Sequence, residues 1–263
     1  MKNTIANTLK NDGYSIVCCD ELKRPIGKKT KSPLKDWNIK SFKELCEEHR
    51  DNHESYCIRM GMHENGRNII CLDFDVYNKG TKGIHEEVQT FLDNWREDSG
   101  DECLYATGTE GNYAVLLDIT DSPILLKEIE ELKAYSENKV KAFGELEILY
   151  GSGSCKVLPN SKTICKKSKK VRKSKLVVEN GDTIFKVDDG YEWLINSFKE
   201  AVDDAKKTNK KRNKTNLKTE NNIKVGEYFH MDKWTDLLMN YMGNPQKNGK
   251  YLIDRNGVLK IAT

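Results

Sequence analysis

The chain's densest apolar run is Ile69, Ile70, Cys71, Leu72 and Phe74, and it ends in two carboxylates, Asp73 and Asp75. Shorter runs with strand-like patterning fall at 14–19, 56–60 (broken by Gly61), 103–106, 113–117 and 144–150. Residues 156–161 read as the partner strand of 144–150 across the turn 151–154. Apolar residues at helical spacing mark three helices: 83–95 (Ile84, Val88, Phe91, Leu92), 123–138 (Ile124, Leu125, Ile129, Leu132) and 191–205 (Trp193, Leu194, Phe198). Residues 1–12 read as a polar helix. Ser41 with Glu44 three positions on has capping-box spacing and starts a further helix. Asn65-Gly66 and Asn180-Gly181 mark hairpins, the second within 175–187. The order of elements predicts an α+β fold built on antiparallel strands.

Residues 1–205 read as the main domain. Residues 206–225, a Lys/Asn/Thr run poor in apolar residues, read as a Lys-rich linker. Residues 226–263 read as a small segment, with a helix around 234–242 and a hairpin around Asn256-Gly257. They are too few to build their own core, so the chain is expected to be the front part of a longer polypeptide.

Side chains alternate along a strand, so Asp73 and Asp75 point one way and Ile70, Leu72 and Phe74 the other. Two like charges on one face of a half-buried strand repel, and a hard divalent cation relieves the repulsion. The competing reading is a strand-end Asp73 with Asp75 opening a turn. On 144–150, Glu145 and Glu147 share a face. Carboxylates from neighbouring strands are what two-metal phosphoryl transfer requires. The turn at 107–111 brings glycine close to any phosphate, and Lys156 and Ser161 lie just beyond Glu147.

The net charge of +3 on 263 residues says little about partners, but its distribution does. No acidic residue lies between Glu147 and Glu179, and nine basic ones do: Lys156, Lys162, Lys166, Lys167, Lys169, Lys170, Arg172, Lys173 and Lys175. Such a block can follow a phosphate backbone, or can be a solvated loop. The eight cysteines contain no C-x-x-C pair. With no signal peptide and no long apolar run, a reduced, cytoplasmic setting and no membrane partner are expected. Cys46, His49, His53 and Cys57 suggest zinc, but on one helix they would span about 16 Å, too far for one ion.

At this point the chain resembles the primase-polymerase (prim-pol) domains of the archaeo-eukaryotic primase superfamily, found in plasmid, phage and large-virus replication proteins. The resemblance covers roughly 14–165 and rests on motifs in order: Gly27-Lys28-Lys29 running to Pro33 and Trp37, Ile58-Arg59-Met60-Gly61, Leu72-Asp73-Phe74-Asp75, Thr107-Gly108-Thr109-Glu110-Gly111-Asn112-Tyr113, Glu147, and Pro159-Asn160-Ser161. It implies an RNA-recognition-motif-like (RRM-like) antiparallel sheet with helices, packed on an N-terminal α/β module, to which the residues of 226–263 add the small C-terminal helix-hairpin. It implies Asp73, Asp75 and Glu147 as catalytic ligands of two Mg2+ or Mn2+ ions. Lys28, Lys29, Thr107, Gly108, Gly111, Tyr113, Lys156 and Ser161 would bind an NTP or dNTP. Lys166, Lys167, Lys169, Lys170, Arg172 and Lys173 would contact nucleic acid. The partners implied are a single-stranded DNA template, a nascent primer and a helicase in cis or in trans. The family's histidine falls at Tyr113, or at Asn112 if the alignment slips by one; neither carries positive charge. Rival readings are a non-catalytic nucleic-acid-binding replication module of the same fold, a metal-dependent nuclease and a glycosyltransferase.

Overall fold

A computed structural model describes residues 4–28, 33–50, 53–76, 83–107, 111–164, 170–179 and 181–221, and the strand pair 252–255 and 258–261, with backbone alone from 209 onwards. In chain order the elements are α1 (Thr4–Asn11), β1 (Ile16–Cys18), α2 (Phe42–Glu47), β2 (Tyr56–Arg59), β3 (Gly61–Met62), β4 (Asn68–Phe74), α3 (Glu86–Ser99), β5 (Tyr105–Ala106), β6 (Tyr113–Asp121), α4 (Pro123–Lys133), β7 (Lys139–Ala142), β8 (Leu146–Leu149), β9 (Cys155–Val157), β10 (Lys162–Ile164), β11 (Val171–Lys173), β12 (Lys175–Leu176), β13 (Ile184–Asp188), α5 (Glu192–Asn221), β14 (Leu252–Arg255) and β15 (Val258–Ile261). The protein is α+β, and its sheets are antiparallel except where β13 runs parallel to β6.

Two compact units divide the chain, Met1–Lys210 and Lys211–Thr263. In the first, the large sheet has the order β12-β5-β6-β4-β8-β7, with β13 also beside β6 and β3 beside β4. Helix α3 joins β4 to β5, and α4 joins β6 to β7. A second, three-stranded sheet has the order β1-β2-β9. In the second unit, β14 and β15 form the expected antiparallel hairpin. The helix expected around 234–242 lies outside the described residues.

The central strand β4 is buried on both faces, and its alternation sorts two cores. Ile70, Leu72 and Phe74 pack with Val88, Phe91, Leu92 and Trp95 of α3, with α4 and with Phe198 and Val202 of α5. Ile69 and Cys71 pack the other way, against Ile16 of β1, Tyr56 and Ile58 of β2 and Leu9 of α1. The predicted apolar face is therefore correct, and a second apolar layer covers the face that carries Asp73, while Asp75 lies just past the strand.

Several boundaries differ from expectation. Helix α4 ends at Lys133, because its apolar stripe ends at Leu132. The residues after it turn at 134–138 and form β7, an edge strand the sequence reading missed. Strand β9 does not pair with β8, whose two sides are taken by β4 and β7. It crosses to the small sheet and pairs with β2, Ile58 opposite Lys156. Segment 175–187 is not a hairpin: β12 pairs with β5 and β13 with β6. Helix α5 continues to Asn221 through the first part of the expected linker. That stretch contains no Gly or Pro, and its lysines are good helix formers. Among the described residues no helix is long and apolar enough to cross a membrane.

Candidate functional site

The pairing of the large sheet lays one row of residues across one face. Tyr105 is opposite Ala114, Ala114 opposite Asp73, Asp73 opposite Glu147, and Glu147 opposite Lys141. Directly opposed residues of antiparallel strands share a face about 5 Å apart. Asp73 and Glu147 are thus neighbours although 74 positions separate them in sequence, 147 minus 73. Their face is the one the small sheet covers, and the row runs from Tyr105 and Ala114, buried in that core, out to the half-exposed Lys141.

From the small sheet, Lys156 reaches across to Asp73 and forms an ion pair with its Oδ2; the side chains are only 10% and 15% exposed. Burial alone lowers a lysine's pKa, but the charges of Asp73 and Asp75 raise that of Lys156, so it is held as a cation. The other oxygen, Asp73 Oδ1, is buried and accepts no hydrogen bond. Asp75, just past the end of β4, accepts a 2.5 Å hydrogen bond from Asn112 Nδ2. Its backbone N–H turns back onto the Asp73 carbonyl at 3.2 Å, so it opens a turn at the strand end, and its charge helps raise the pKa of both Lys156 and Lys141. Glu147 is held by Lys139 Nζ, 3.1 and 3.3 Å from its two oxygens, and by Lys141 Nζ at 3.9 Å. Glu145 lies in the turn before β8 and pairs with Lys141 at 2.7 Å, so the rival third carboxylate is off the strand.

The structure therefore brings together Asp73, Asp75, Glu147 and Lys156. As the side chains stand, no group of three or more His, Cys, Asp or Glu residues among the described ones could hold an ion. Each carboxylate is turned onto a lysine or an amide instead. The donor set still suits a hard divalent cation: three carboxylates, one bearing a buried oxygen without a partner.

Two of the expected nucleotide ligands are placed elsewhere. Tyr113 pairs with Phe74, so it shares the helix-side face, where its ring lies under the Arg96 guanidinium, 4.6 Å from the centroid. Asn112, one position earlier, is the residue that reaches the carboxylates. Ser161 is fully buried, and its hydroxyl accepts from the Tyr56 N–H at 3.1 Å and donates to the Tyr56 carbonyl at 3.3 Å. It ties the exit of β9 to β2 rather than facing a ligand.

Thr107 closes the loop before β6 by donating its N–H to the Asn112 carbonyl at 3.0 Å, and Gly111 has φ +78°, a conformation glycine reaches without strain. A small recess beside the ion pair is lined by Lys23, Tyr105, Thr107, Lys156, Thr163 and Ser174. Lys28 is exposed, its backbone N–H held by Glu48 at 2.6 Å. Lys170 is exposed just before β11, and Arg172 and Lys173 lie on β11 in the hairpin with β10. Lys29, Gly108, Lys166, Lys167 and Lys169 lie outside the described residues.

The cysteine–histidine set is dispersed. His49 Nε2 is 3.2 Å from Asn7 Oδ1 and its ring stacks on Tyr56, while the His53 ring bonds the Cys19 carbonyl at 2.7 Å. Sequence reasoning missed Lys139 and Lys141. Their signal was the alternation Lys139, Val140, Lys141, Ala142, which fell between the helix expected to end at 138 and the strand expected from 144 and was given to neither. Compared with known proteins, the chain matches no family model and no curated protein.

Proposed function

We propose that the chain is a primase-polymerase domain that joins nucleotides on a single-stranded DNA template. The observation that carries this reading is the pairing of Asp73 with Glu147, with Asp75 two residues on from Asp73 and held by Asn112. The topology supports it. Strands β4, β5, β6 and β8 with helices α3 and α4 give the sheet order β5-β6-β4-β8, that of the second, third, first and fourth strands of an RRM-like β-α-β-β-α-β unit, with the edge strand β7 inserted between α4 and β8. The β1-β2-β9 sheet with α1 stands as the N-terminal module.

In this reading Asp73, Asp75 and Glu147 hold Mg2+ or Mn2+. The chemistry two such ions would supply there is activation of a 3′-hydroxyl and neutralisation of the triphosphate's charge. Asp73 offers its unpartnered Oδ1. Lys156, ion-paired to Asp73, stands where a phosphate oxygen can take its ammonium. Asn112 orients Asp75 by an amide hydrogen bond, from the place the family's histidine takes if the alignment slips by one, and carries no charge. The hairpin residues Lys170, Arg172 and Lys173 contact the template or primer, and a helicase in cis or in trans opens the duplex.

The second reading, a non-catalytic binding module, draws on the same geometry: each carboxylate already has a lysine or amide partner. Labelled-nucleotide incorporation on single-stranded DNA with Mg2+ or Mn2+ decides between them. Products made by the wild type and abolished by Asp73→Ala/Asp75→Ala are expected. Strand binding by both proteins with no incorporation by either would establish the binding module instead.

A further inference from the structure

We propose that Lys139 and Lys141 of β7 form a phosphate-binding edge of the site, held on Glu147 until a divalent cation takes that carboxylate. This inference rests on the metal-dependent reading above. It starts from a conflict of charge. Lys139 Nζ lies within 3.3 Å of both oxygens of Glu147, and Lys141 Nζ is 3.9 Å from one of them. A divalent ion on Glu147 needs the same oxygens and repels both ammonium groups. The lysines must then turn away.

Where they can turn is set by the fold. Strand β7 is the outer strand of the large sheet, beyond β8. The Lys139 and Lys141 side chains are 52% and 38% exposed, against 10% for Lys156. Both sit on the carboxylate face two residues apart, roughly 7 Å along the strand. Two flexible ammonium groups released side by side next to a cation site suit an anionic, phosphate-bearing ligand. Its phosphates come from a nucleotide triphosphate or from a nucleic-acid strand. Glu145, 2.7 Å from Lys141, retains that lysine on the rim when Glu147 no longer does.

The test compares wild type, Lys139→Gln/Lys141→Gln, Lys139→Arg/Lys141→Arg and the distant control Lys133→Gln. Mn2+ binding is read by electron paramagnetic resonance. Binding of labelled oligo-dT and of dATP is read with Mn2+ present across a range of KCl concentrations. The glutamine pair is expected to bind Mn2+ severalfold more tightly, because a competitor for Glu147 is gone. It is expected to lose about tenfold in affinity for one phosphate ligand. If that ligand is the strand, the slope of log affinity against log salt falls by about 1.4, about 0.7 per lysine contact on a single strand. The arginine pair restores binding, and Lys133→Gln changes nothing. Loss confined to dATP assigns the edge to the triphosphate; loss confined to oligo-dT assigns it to the strand. Tighter Mn2+ binding with both ligands unchanged overturns the inference and leaves the metal site standing. Absence of Mn2+ binding that depends on Asp73 in the wild type overturns both.

Discussion

Asp73 has one oxygen on Lys156 and one on nothing. Removing a single member of a buried ion pair strands the other, at a cost of about 3–5 kcal/mol. Lys156→Met is therefore expected to lower the stability of the metal-free protein by about 3 kcal/mol. A bound cation replaces the missing charge and stabilises by mass action, so Mn2+ should raise the melting temperature of Lys156→Met more than that of the wild type. Equal shifts in the two proteins would argue against a cation at Asp73. His63 is a second buried group with a measurable consequence. Its Nδ1 accepts the Ser15 N–H at 2.8 Å, and burial, aided by the charge of Arg59, pushes its pKa from 6.5 down to about 4. The unfolded chain takes up a proton that the folded protein refuses. This contribution to stability is complete above about pH 6.5 and is lost as pH falls towards 4, up to about 3 kcal/mol. Urea unfolding of wild type and His63→Gln at several pH values should show the steeper acid loss in the wild type. Parallel curves would dismiss His63 as the cause.

Among the elements, the strand carrying Asp73 and Asp75 was legible because its apolar face and its acidic end are both local features. So was α2: Ser41 accepts the Glu44 N–H and Glu44 accepts the Ser41 N–H, the capping box its spacing predicts. What was not legible depends on partners far along the chain. Tyr113 and Asn112 look alike as ligands until the pairing of Tyr113 with Phe74 settles which side each takes. Nothing near Lys156 says that its strand pairs with residues 57–59 rather than with the strand just before it. The link between those strands is also sterically tight. A Cβ on Gly151 would fall against the Glu137 carbonyl and Asn138, while Asn138 Oδ1 accepts the Gly153 N–H at 2.7 Å and its carbonyl accepts the Gly151 N–H at 2.9 Å. Gly151→Ala is expected to cost about 2 kcal/mol, in the range of overpacked interiors, and to weaken Mn2+ binding with it, since Glu147 and Lys156 flank this turn. A variant with wild-type thermal unfolding would show that the turn yields without cost.

For the molecule as a whole, the two cores and every described residue of the candidate site belong to the unit Met1–Lys210. A chain ending at Lys210 is expected to unfold cooperatively and to keep the Mn2+ affinity of the full chain. A broad, non-cooperative transition would make the remaining residues part of the same folding unit. The small sheet adds a constraint in time. Strand β2 is flanked by β1, made early, and by β9, which pairs with it across about a hundred residues of chain. Closing so long a loop is slow and comes late. As the chain leaves the ribosome, the edge of β2 stays open until Val157 has emerged. Lys156 arrives with that closing strand. Asp73 therefore gains its counter-charge only when β9 closes the small sheet, and a chain arrested before that point carries the acids without the group that steadies them.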